Sequence, residues 1–220
     1  MLNTLKKIFA FKNSAASSAS APCPPQSPPQ VLGLKLGGSF TIDALKLKLA
    51  EPMLTIEGAA SDHIIEAVGV VQLDPQRKLL RFYTDDEGFL QIQLFGEHIE
   101  EIILWYFYDV KAISTPQWSK VLNHQVAKSH YALEEHTFTQ FWEGNTPVVL
   151  TEKTYHLDGS VSETDQFCMA YTREIDSQQC PRELLLISAE EKYNSVTNDF
   201  DRELVRSTGF ALSKTDIKDN

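Results

Sequence analysis

The sequence has little cysteine and few positive charges, and it contains no long hydrophobic run. Three cysteines in 220 residues are too few for a dense disulfide framework. No apolar stretch approaches the roughly 18 to 20 residues that a membrane-spanning helix needs. Because 20 Lys and Arg residues face 30 Asp and Glu residues, the net charge is -10, and so acidic a chain is a poor partner for a phosphate backbone. We therefore expect no nucleic-acid partner.

Motifs for common catalytic and metal-binding chemistry are also missing. The six histidines include no His-x-x-x-His or His-x-His pair, and no Cys-x-x-Cys pair occurs, whereas structural zinc sites usually take their ligands in close pairs. The sequence also lacks a Gly-x-Ser-x-Gly elbow and a P-loop. These absences predict a protein without a metal ion or other cofactor. They leave catalytic residues unassigned and favour a non-enzymatic role.

Positive charge is concentrated at the N-terminus. Residues 1–30 contain three lysines and no acidic residue, so the rest of the chain carries a net charge of -13. Wound as a helix, residues 1–12 would form an amphipathic segment with a basic edge. The predicted membrane-contact residues of this segment are Leu2, Leu5, Lys6, Lys7, Ile8, Phe9, Phe11 and Lys12.

A linker follows this segment at residues 13–30. It holds half of the ten prolines together with several serines and alanines, a composition that predicts an unfolded tether. The apolar stretch after Lys7 is too short for a secretory signal. We expect a cytoplasmic protein that associates peripherally with the inner membrane. Three contacts remain open for residues 1–12: an anionic membrane surface, a protein partner, or none.

From residue 31 onward the pattern becomes globular, and we predict a single β-rich domain over residues 31–220. Alternating apolar and polar residues predict half-buried strands. Thr115 as N-cap and Pro116 at the first helical position predict a helix ending near Lys128. The fold class is therefore α+β, a mainly antiparallel β domain with one or two helices. The predicted strands cover residues 40–49, 53–57, 64–73, 78–84, 89–95, 99–109, 135–142, 148–156, 165–173, 184–188 and 203–212.

Three local patterns carry more specific expectations. Residues 85–88 predict a hairpin turn in which Gly88 supplies a positive φ. Glu134 and His136 would share one side of a strand, where a surface pair is favoured over a catalytic one. Cys168 is predicted to be a small core residue.

Several phrases in the body resemble the YjfK-like family of uncharacterised bacterial proteins. They are Leu-Gly-Gly-Ser-Phe at 36–40, Thr-Ile-Glu-Gly-Ala-Ala at 55–60, Arg-Phe-Tyr-Thr-Asp-Asp-Glu at 81–87, Leu-Trp-Tyr-Phe-Tyr-Asp at 104–109, Thr-Asp-Gln-Phe at 164–167 and Ser-Thr-Gly-Phe at 207–210. The resemblance covers about residues 31–217 and supplies no catalytic residue. It implies a membrane-associated, stress-related accessory role beside a phage-shock-protein-A-like partner.

These observations support three hypotheses, and they leave the oligomeric state open. The first is a non-enzymatic adaptor whose acidic body binds a protein partner and whose basic N-terminus touches the inner membrane. The second is a hydrolase or transferase with a site assembled from Asp85, Asp86 and Glu101 with His136 or His156. The third is a small-ligand-binding β domain with a site lined by Trp105, Tyr106, Tyr108 and Trp142.

Overall fold

A computed structural model describes residues 27–219 apart from positions 143, 145, 178 and 179. The predicted membrane-contact segment, residues 1–12, and most of the predicted linker lie outside the described residues. The described strands are β1 Ser39–Ile42, β2 Asp62–Gln72, β3 Arg77–Thr84, β4 Gly88–Phe95, β5 His98–Ala112, β6 His130–Leu133, β7 His136–Gln140, β8 Val148–His156, β9 Val161–Glu174, β10 Arg182–Asn194, β11 Asp199–Leu212 and β12 Ile217–Asp219. The α-helices are α1 Ala44–Ala50 and α2 Trp118–Val121.

Eight of these strands close into an antiparallel barrel. The order runs β2-β3-β4-β5-β11-β10-β9, and β8 completes the circle by pairing with both β9 and β2. Closure leaves no free edge among these eight strands, and it encloses a space that receives every second side chain of each strand. The prediction of a mainly antiparallel β domain with one or two helices is confirmed for the described residues.

Two outer layers cover the apolar outside of the barrel. The first consists of β1, α1 and the segment that follows them, which pack against the outward side chains of strands β2 to β5. The second consists of α2 and the β6–β7 hairpin, which pack against β9, β10 and β11. Many apolar side chains on the outside of the barrel are therefore buried in these two clusters, and a third cluster lies inside the barrel.

The prediction of a strand over residues 40–49 is wrong in its second half. The chain leaves β1 after Ile42 and forms α1, because the Asp43 side chain accepts hydrogen bonds from the backbone N–H groups of Leu45 and Lys46. This N-cap starts a helix although the leucines alternate with lysines. Only Leu47 of the three alternating leucines is buried, and Leu45 is 66% exposed.

We expect Asp43→Ala to lower the free energy of unfolding by about 1 kcal/mol, because the first turn of α1 loses its side-chain cap. The matched variant Asp43→Asn keeps a hydrogen-bond acceptor at the same place, so its free energy of unfolding should fall by only a few tenths of a kcal/mol. Urea unfolding followed by tryptophan fluorescence measures both values. Equal losses for the two variants would contradict the capping role.

Other predicted elements are also corrected. Residues 53–57 form no strand, since a 3-10 turn at Glu51–Met53 leads into irregular chain. The helix predicted from Thr115 is a 3-10 turn at Thr115–Gln117, then α2, then a π turn at Leu122–Val126. Within the described residues, no helix is both long enough and apolar enough to span a bilayer.

The β3–β4 hairpin is confirmed, but Gly88 does not supply its positive φ. That conformation belongs to Glu87, at φ 47°. Gly88 is needed for a different reason, because a Cβ at this position would lie 2.3 Å from the carbonyl oxygen of Trp105 on β5. The glycine allows a close approach of two backbones rather than a turn.

Candidate functional site

The interior of the barrel is divided into an apolar half and a polar half. At one end, inward side chains of seven strands and Phe141 from the loop after β7 form an apolar cluster that includes Leu79, Trp105 and Leu184. At the other end, the inward positions carry charged and hydroxyl groups. Arg81 lies between the two halves and lines the space on either side.

Arg81 is only 3% exposed and is held by three neighbouring side chains. Its Nη1 donates to Glu152 Oε2 at 2.5 Å and to Gln166 Oε1 at 2.8 Å, and its Nε donates to Gln91 Oε1 at 3.1 Å. The guanidinium group also lies over the Phe89 ring, 5.3 Å from its centroid. A charged group this deeply buried is tolerated because an opposite charge and further acceptors surround it.

Glu152 is itself fully supplied with donors. It is 1% exposed, and it accepts from Arg81, from Tyr83 Oη at 2.7 Å and from Gln166 Nε2 at 3.0 Å. We call Arg81, Gln91, Glu152, Gln166 and Tyr83 the Arg81 network. Because hydrogen bonds join all five side chains, the network forms a rigid partition across the barrel.

Gly69 on β2 makes room for this network. A Cβ at residue 69 would lie 1.7 Å from Glu152 Oε1 and 3.2 Å from the Tyr83 ring. A glycine inside a strand often marks such a close approach. The sequence shows this glycine between Val68 and Val70. A glycine inside a predicted strand could therefore have indicated that another side chain packs closely against β2.

The charges in this region shift the pKa values of the side chains. Burial alone would lower the pKa of Arg81, but neighbouring negative charge, above all that of Glu152, raises it overall. Burial, and then the charge of Glu152, raises the pKa of Tyr83 well above its usual range. Arg81 is therefore always charged, and Tyr83 remains a neutral hydrogen-bond donor.

A cavity of about 240 Å³ opens on the polar side of Arg81. Its rim includes the exposed residues Val110 and Glu203, while its depth includes the buried residues Ser188 and Ser207. This volume has room for roughly eight water-sized groups. We call it the polar cavity, and its lining residues are Arg81, Tyr83, Phe89, Phe107, Val110, Leu186, Ser188, Glu190, Glu203, Val205 and Ser207.

Glu190 is the carboxyl group that faces the centre of the polar cavity. Protein atoms surround it on nearly every side, although it keeps some contact with the cavity. Burial raises the pKa of Glu190 to about 7. Its Oε1 accepts a hydrogen bond from Gln166 Nε2 at a distance of 3.3 Å. Near neutral pH this group therefore exists as a mixture of the acid and the carboxylate.

The space on the apolar side of Arg81 is much smaller. It measures about 30 Å³ and lies among Leu79, Trp105, Leu150 and Leu184. Such a volume holds about one water molecule. The polar cavity is therefore the part of the interior that could admit an organic molecule.

The residues of the predicted enzyme site do not converge. Asp85 and Asp86 lie in the β3–β4 turn and accept hydrogen bonds from the backbone N–H groups of Ile64 and Ala60. Glu101 lies toward the opposite end of β5, opposite Gln93 on β4, and burial raises its pKa to about 7. These acids have separate surroundings and do not form one site.

The two histidines of that prediction are also separated. His156 ends β8 and its Nε2 is 2.9 Å from Ser162 Oγ on β9. His136 begins β7, in the outer β6–β7 hairpin. Glu134 and His136 do not share a strand, because Glu134 lies in the tight turn with φ 54°, where its carboxylate accepts from Tyr108 Oη at 3.2 Å.

The predicted aromatic ligand site is likewise divided by the barrel wall. Trp105 points inward, whereas Tyr106 points outward and is buried under the first outer layer. Tyr106 and Tyr108 line an outer cleft of about 470 Å³, together with Asp85, Asp86 and Glu87. Trp142 is half-buried between two apolar clusters. Neighbouring strand residues face opposite ways, so the four aromatic side chains cannot line one pocket.

Two further predictions concern reactive and metal-binding residues. Cys168 is buried inside the barrel, as predicted, and burial raises its pKa to about 11, so the thiol stays protonated. Among the residues that the structure describes, no group of three or more His, Cys, Asp or Glu side chains could hold a metal ion.

Comparisons with known proteins identify a family but no activity. A family model described as "Protein of unknown function (DUF2491)" matches residues 5–218. The chain is 29% identical over 179 residues to the uncharacterized protein YjfK of Escherichia coli strain K12, which covers 75% of this chain and 80% of that protein. No solved structure matches the chain. Because the family model spans nearly the whole sequence, the chain belongs to the DUF2491 family of proteins of unknown function, as its resemblance to YjfK-like proteins predicted.

Proposed function

We propose that this protein binds a small molecule in the polar cavity of its barrel. The observation that carries the proposal is an unfilled volume of about 240 Å³ inside a closed barrel, reached from one end and lined by charged, hydroxyl and aromatic side chains. Ligand sites in proteins are typically concave, pre-formed and lined by apolar walls with a few polar groups. The polar cavity has these properties, although it is small.

The floor of the cavity favours binding over turnover. The guanidinium and carboxylate groups of Arg81 and Glu152 are already hydrogen-bonded to each other and to their neighbours. Cys168, the potential nucleophile in the interior, is kept protonated by burial. A rigid, internally paired floor can position a ligand, but it offers no activated nucleophile.

A thermal-shift screen of the full-length chain tests the proposal. A ligand present at about 100 times its Kd should stabilise the protein by about 2.7 kcal/mol. Ser207→Leu should abolish this stabilisation, because the larger side chain enters the cavity. The same substitution at the exposed Ser195 serves as the matched control and should leave the shift unchanged. A ligand whose effect survives Ser207→Leu binds elsewhere and contradicts the proposal.

A second role, that of an adaptor beside the inner membrane, is compatible with the first. Support comes from the tip of the β10–β11 hairpin, where Val196 is 92% exposed and where Tyr193 and Phe200 are also exposed. Exposed apolar side chains of this kind favour contact with a protein partner. The expected phage-shock-protein-A-like partner and the stress-related role come from the family resemblance.

The adaptor role has two separate tests. Flotation with anionic vesicles should recover the full chain and lose it when residues 2–12 are deleted, and equal recovery would contradict a membrane contact by these residues. Binding to a purified phage-shock-protein-A-like protein should weaken at least tenfold in Val196→Ser. A hairpin variant that binds as well as the original chain would exclude this tip from the interface.

A further inference from the structure

Two glutamates that line the polar cavity lie side by side, and neither forms a salt bridge with a Lys or Arg among the described residues. Glu190 and Glu203 are register partners on β10 and β11, and both line the cavity. Like charges directly opposite each other destabilise an antiparallel pair. The next register pair, Glu191 and Arg202, joins opposite charges in a salt bridge of 3.1 Å. Charge is therefore matched at the neighbouring pair and unmatched at the pair that faces the cavity.

Arg81 does not resolve this imbalance. It is the cation among the lining residues, but its guanidinium group is committed to Glu152, Gln166 and Gln91. Within the described part of the chain, no salt bridge joins a Lys or Arg to Glu190 or Glu203, since the nearby arginines pair with Glu152, Glu191 and Asp199. The cavity therefore carries net negative charge once Glu190 is ionised.

A second, independent feature also points to a ligand. Ser207 is only 2% exposed and lines the cavity, yet its hydroxyl group has no hydrogen-bond partner among the described residues. This side chain is almost wholly enclosed by protein and borders the cavity, so its hydrogen-bonding capacity is left for a molecule inside the cavity. A ligand bound beside Ser207 would supply that partner.

The remaining wall of the cavity is aromatic. The Phe89 ring lies 5.2 Å from the Tyr83 ring and 5.8 Å from the Phe107 ring, measured between centroids. Aromatic faces attract organic cations, particularly where water is excluded. The Arg81 guanidinium group already lies over the Phe89 ring, so Tyr83 and Phe107 are the rings left for a ligand. Carboxylates on one side and aromatic rings on the other form the combination that binds ammonium groups.

We propose that the ligand of the polar cavity is a small organic cation, with its ammonium group between Glu190 and Glu203 and its carbon atoms against the aromatic wall. This inference rests on the proposed function and names the class of ligand. A hydroxyl group on such a molecule would reach Ser207. The cavity volume limits the ligand to roughly eight non-hydrogen atoms.

The protonation of Glu190 gives the proposal a pH signature. Burial raises its pKa to about 7 in the empty cavity, against the effects of Arg81 and Ser188 and together with those of Glu152 and Glu203. A cation binds the ionised form, so binding should become about tenfold tighter between pH 6 and pH 8. Binding at pH 7 should also release protons.

The test compares choline with 3,3-dimethylbutan-1-ol, in which carbon replaces the charged nitrogen. Calorimetry with the full-length chain at constant ionic strength should show choline binding at least tenfold more tightly than the neutral alcohol. Glu190→Gln and Glu203→Gln should each weaken choline binding several-fold and leave the alcohol unaffected. Glu191→Gln, on the outer face of the same strand, is the matched control and should change neither.

The outcomes separate this inference from the proposed function. If choline and the alcohol bind equally, or if Glu190→Gln has no effect on choline, the ligand is not a cation, although the cavity is still a ligand site. The same conclusion follows if neither probe binds while an uncharged molecule binds and is blocked by Ser207→Leu. If no molecule binds the cavity at all, the proposed function fails together with the inference.

Discussion

Arg81→Met is expected to lower the free energy of unfolding by about 3 to 5 kcal/mol, because it leaves the carboxylate of Glu152 buried without its positive partner. The 2.5 Å bond from Arg81 Nη1 to Glu152 is lost, together with the bonds to Gln166 and Gln91. Methionine can fill part of the space but donates no hydrogen bond. Guanidinium chloride unfolding of the full-length chain measures the loss.

Two controls separate the burial of the charge from the loss of packing. Arg182→Met removes an arginine from the exposed pair with Glu174, at 2.7 Å, and should cost less than about 1 kcal/mol. Combining Arg81→Met with Glu152→Leu removes both buried charges and should recover most of the lost stability. A double variant as unstable as Arg81→Met would show that the network stabilises the barrel by its shape rather than by compensating charge.

The second large effect concerns the dependence of stability on pH. Burial raises the pKa of Glu190 from an ordinary value of 4.5 to about 7. Below pH 4.5 both the folded and the unfolded chain hold this proton. Between pH 4.5 and 7 the unfolded chain releases it while the folded chain keeps it, so stability falls as the pH rises. Above pH 7 the penalty is complete and amounts to at most about 3 kcal/mol.

We therefore expect Glu190→Gln to be more stable than the original chain at pH 8 and close to it at pH 4.5. The difference between the two proteins isolates Glu190, because Glu101 and the other titrating groups are common to both. Thermal unfolding from pH 4.5 to 8.5 measures this difference. A constant difference over this range would show that Glu190 keeps an ordinary pKa in the folded protein.

Local sequence patterns were sufficient to predict much of the barrel wall. Strands β3, β4 and β5 follow their predicted ranges closely, because each is an apolar run bounded by turn residues. Both faces of these strands are buried along their central residues. The strand predicted over residues 184–188 is β10 in part, and β10 continues to Asn194. The last residues of β10 are mostly polar, because Glu190 faces the cavity and the tip of the hairpin faces solvent. The alternation of apolar and polar residues therefore did not predict a strand there.

Barrel closure and the site inside it could not be predicted in this way. β2 pairs with β8, which is far from it in the sequence, and Arg81 meets Glu152 across 71 positions of sequence. Turn patterns in the sequence predict only pairs of strands that follow each other. They do not show which inward side chains of distant strands lie at the same height in the barrel. One of the three hypotheses placed Trp105, Tyr106, Tyr108 and Trp142 around one ligand, but the strand period sends Trp105 and Tyr106 to opposite sides of the barrel wall.

The most direct test of the ligand site is a methyl NMR spectrum of the full-length chain, labelled at Leu and Val, recorded with and without small amines and matched neutral fragments. We expect a binding compound to shift the methyl signals of Leu186 and Val205, which line the polar cavity. The chemical shifts of Leu47 and Leu54, which lie in the cluster under the first outer layer, should not change. The account would be contradicted if no compound shifted the signals of Leu186 or Val205, or if the shifts were confined to Leu47 and Leu54.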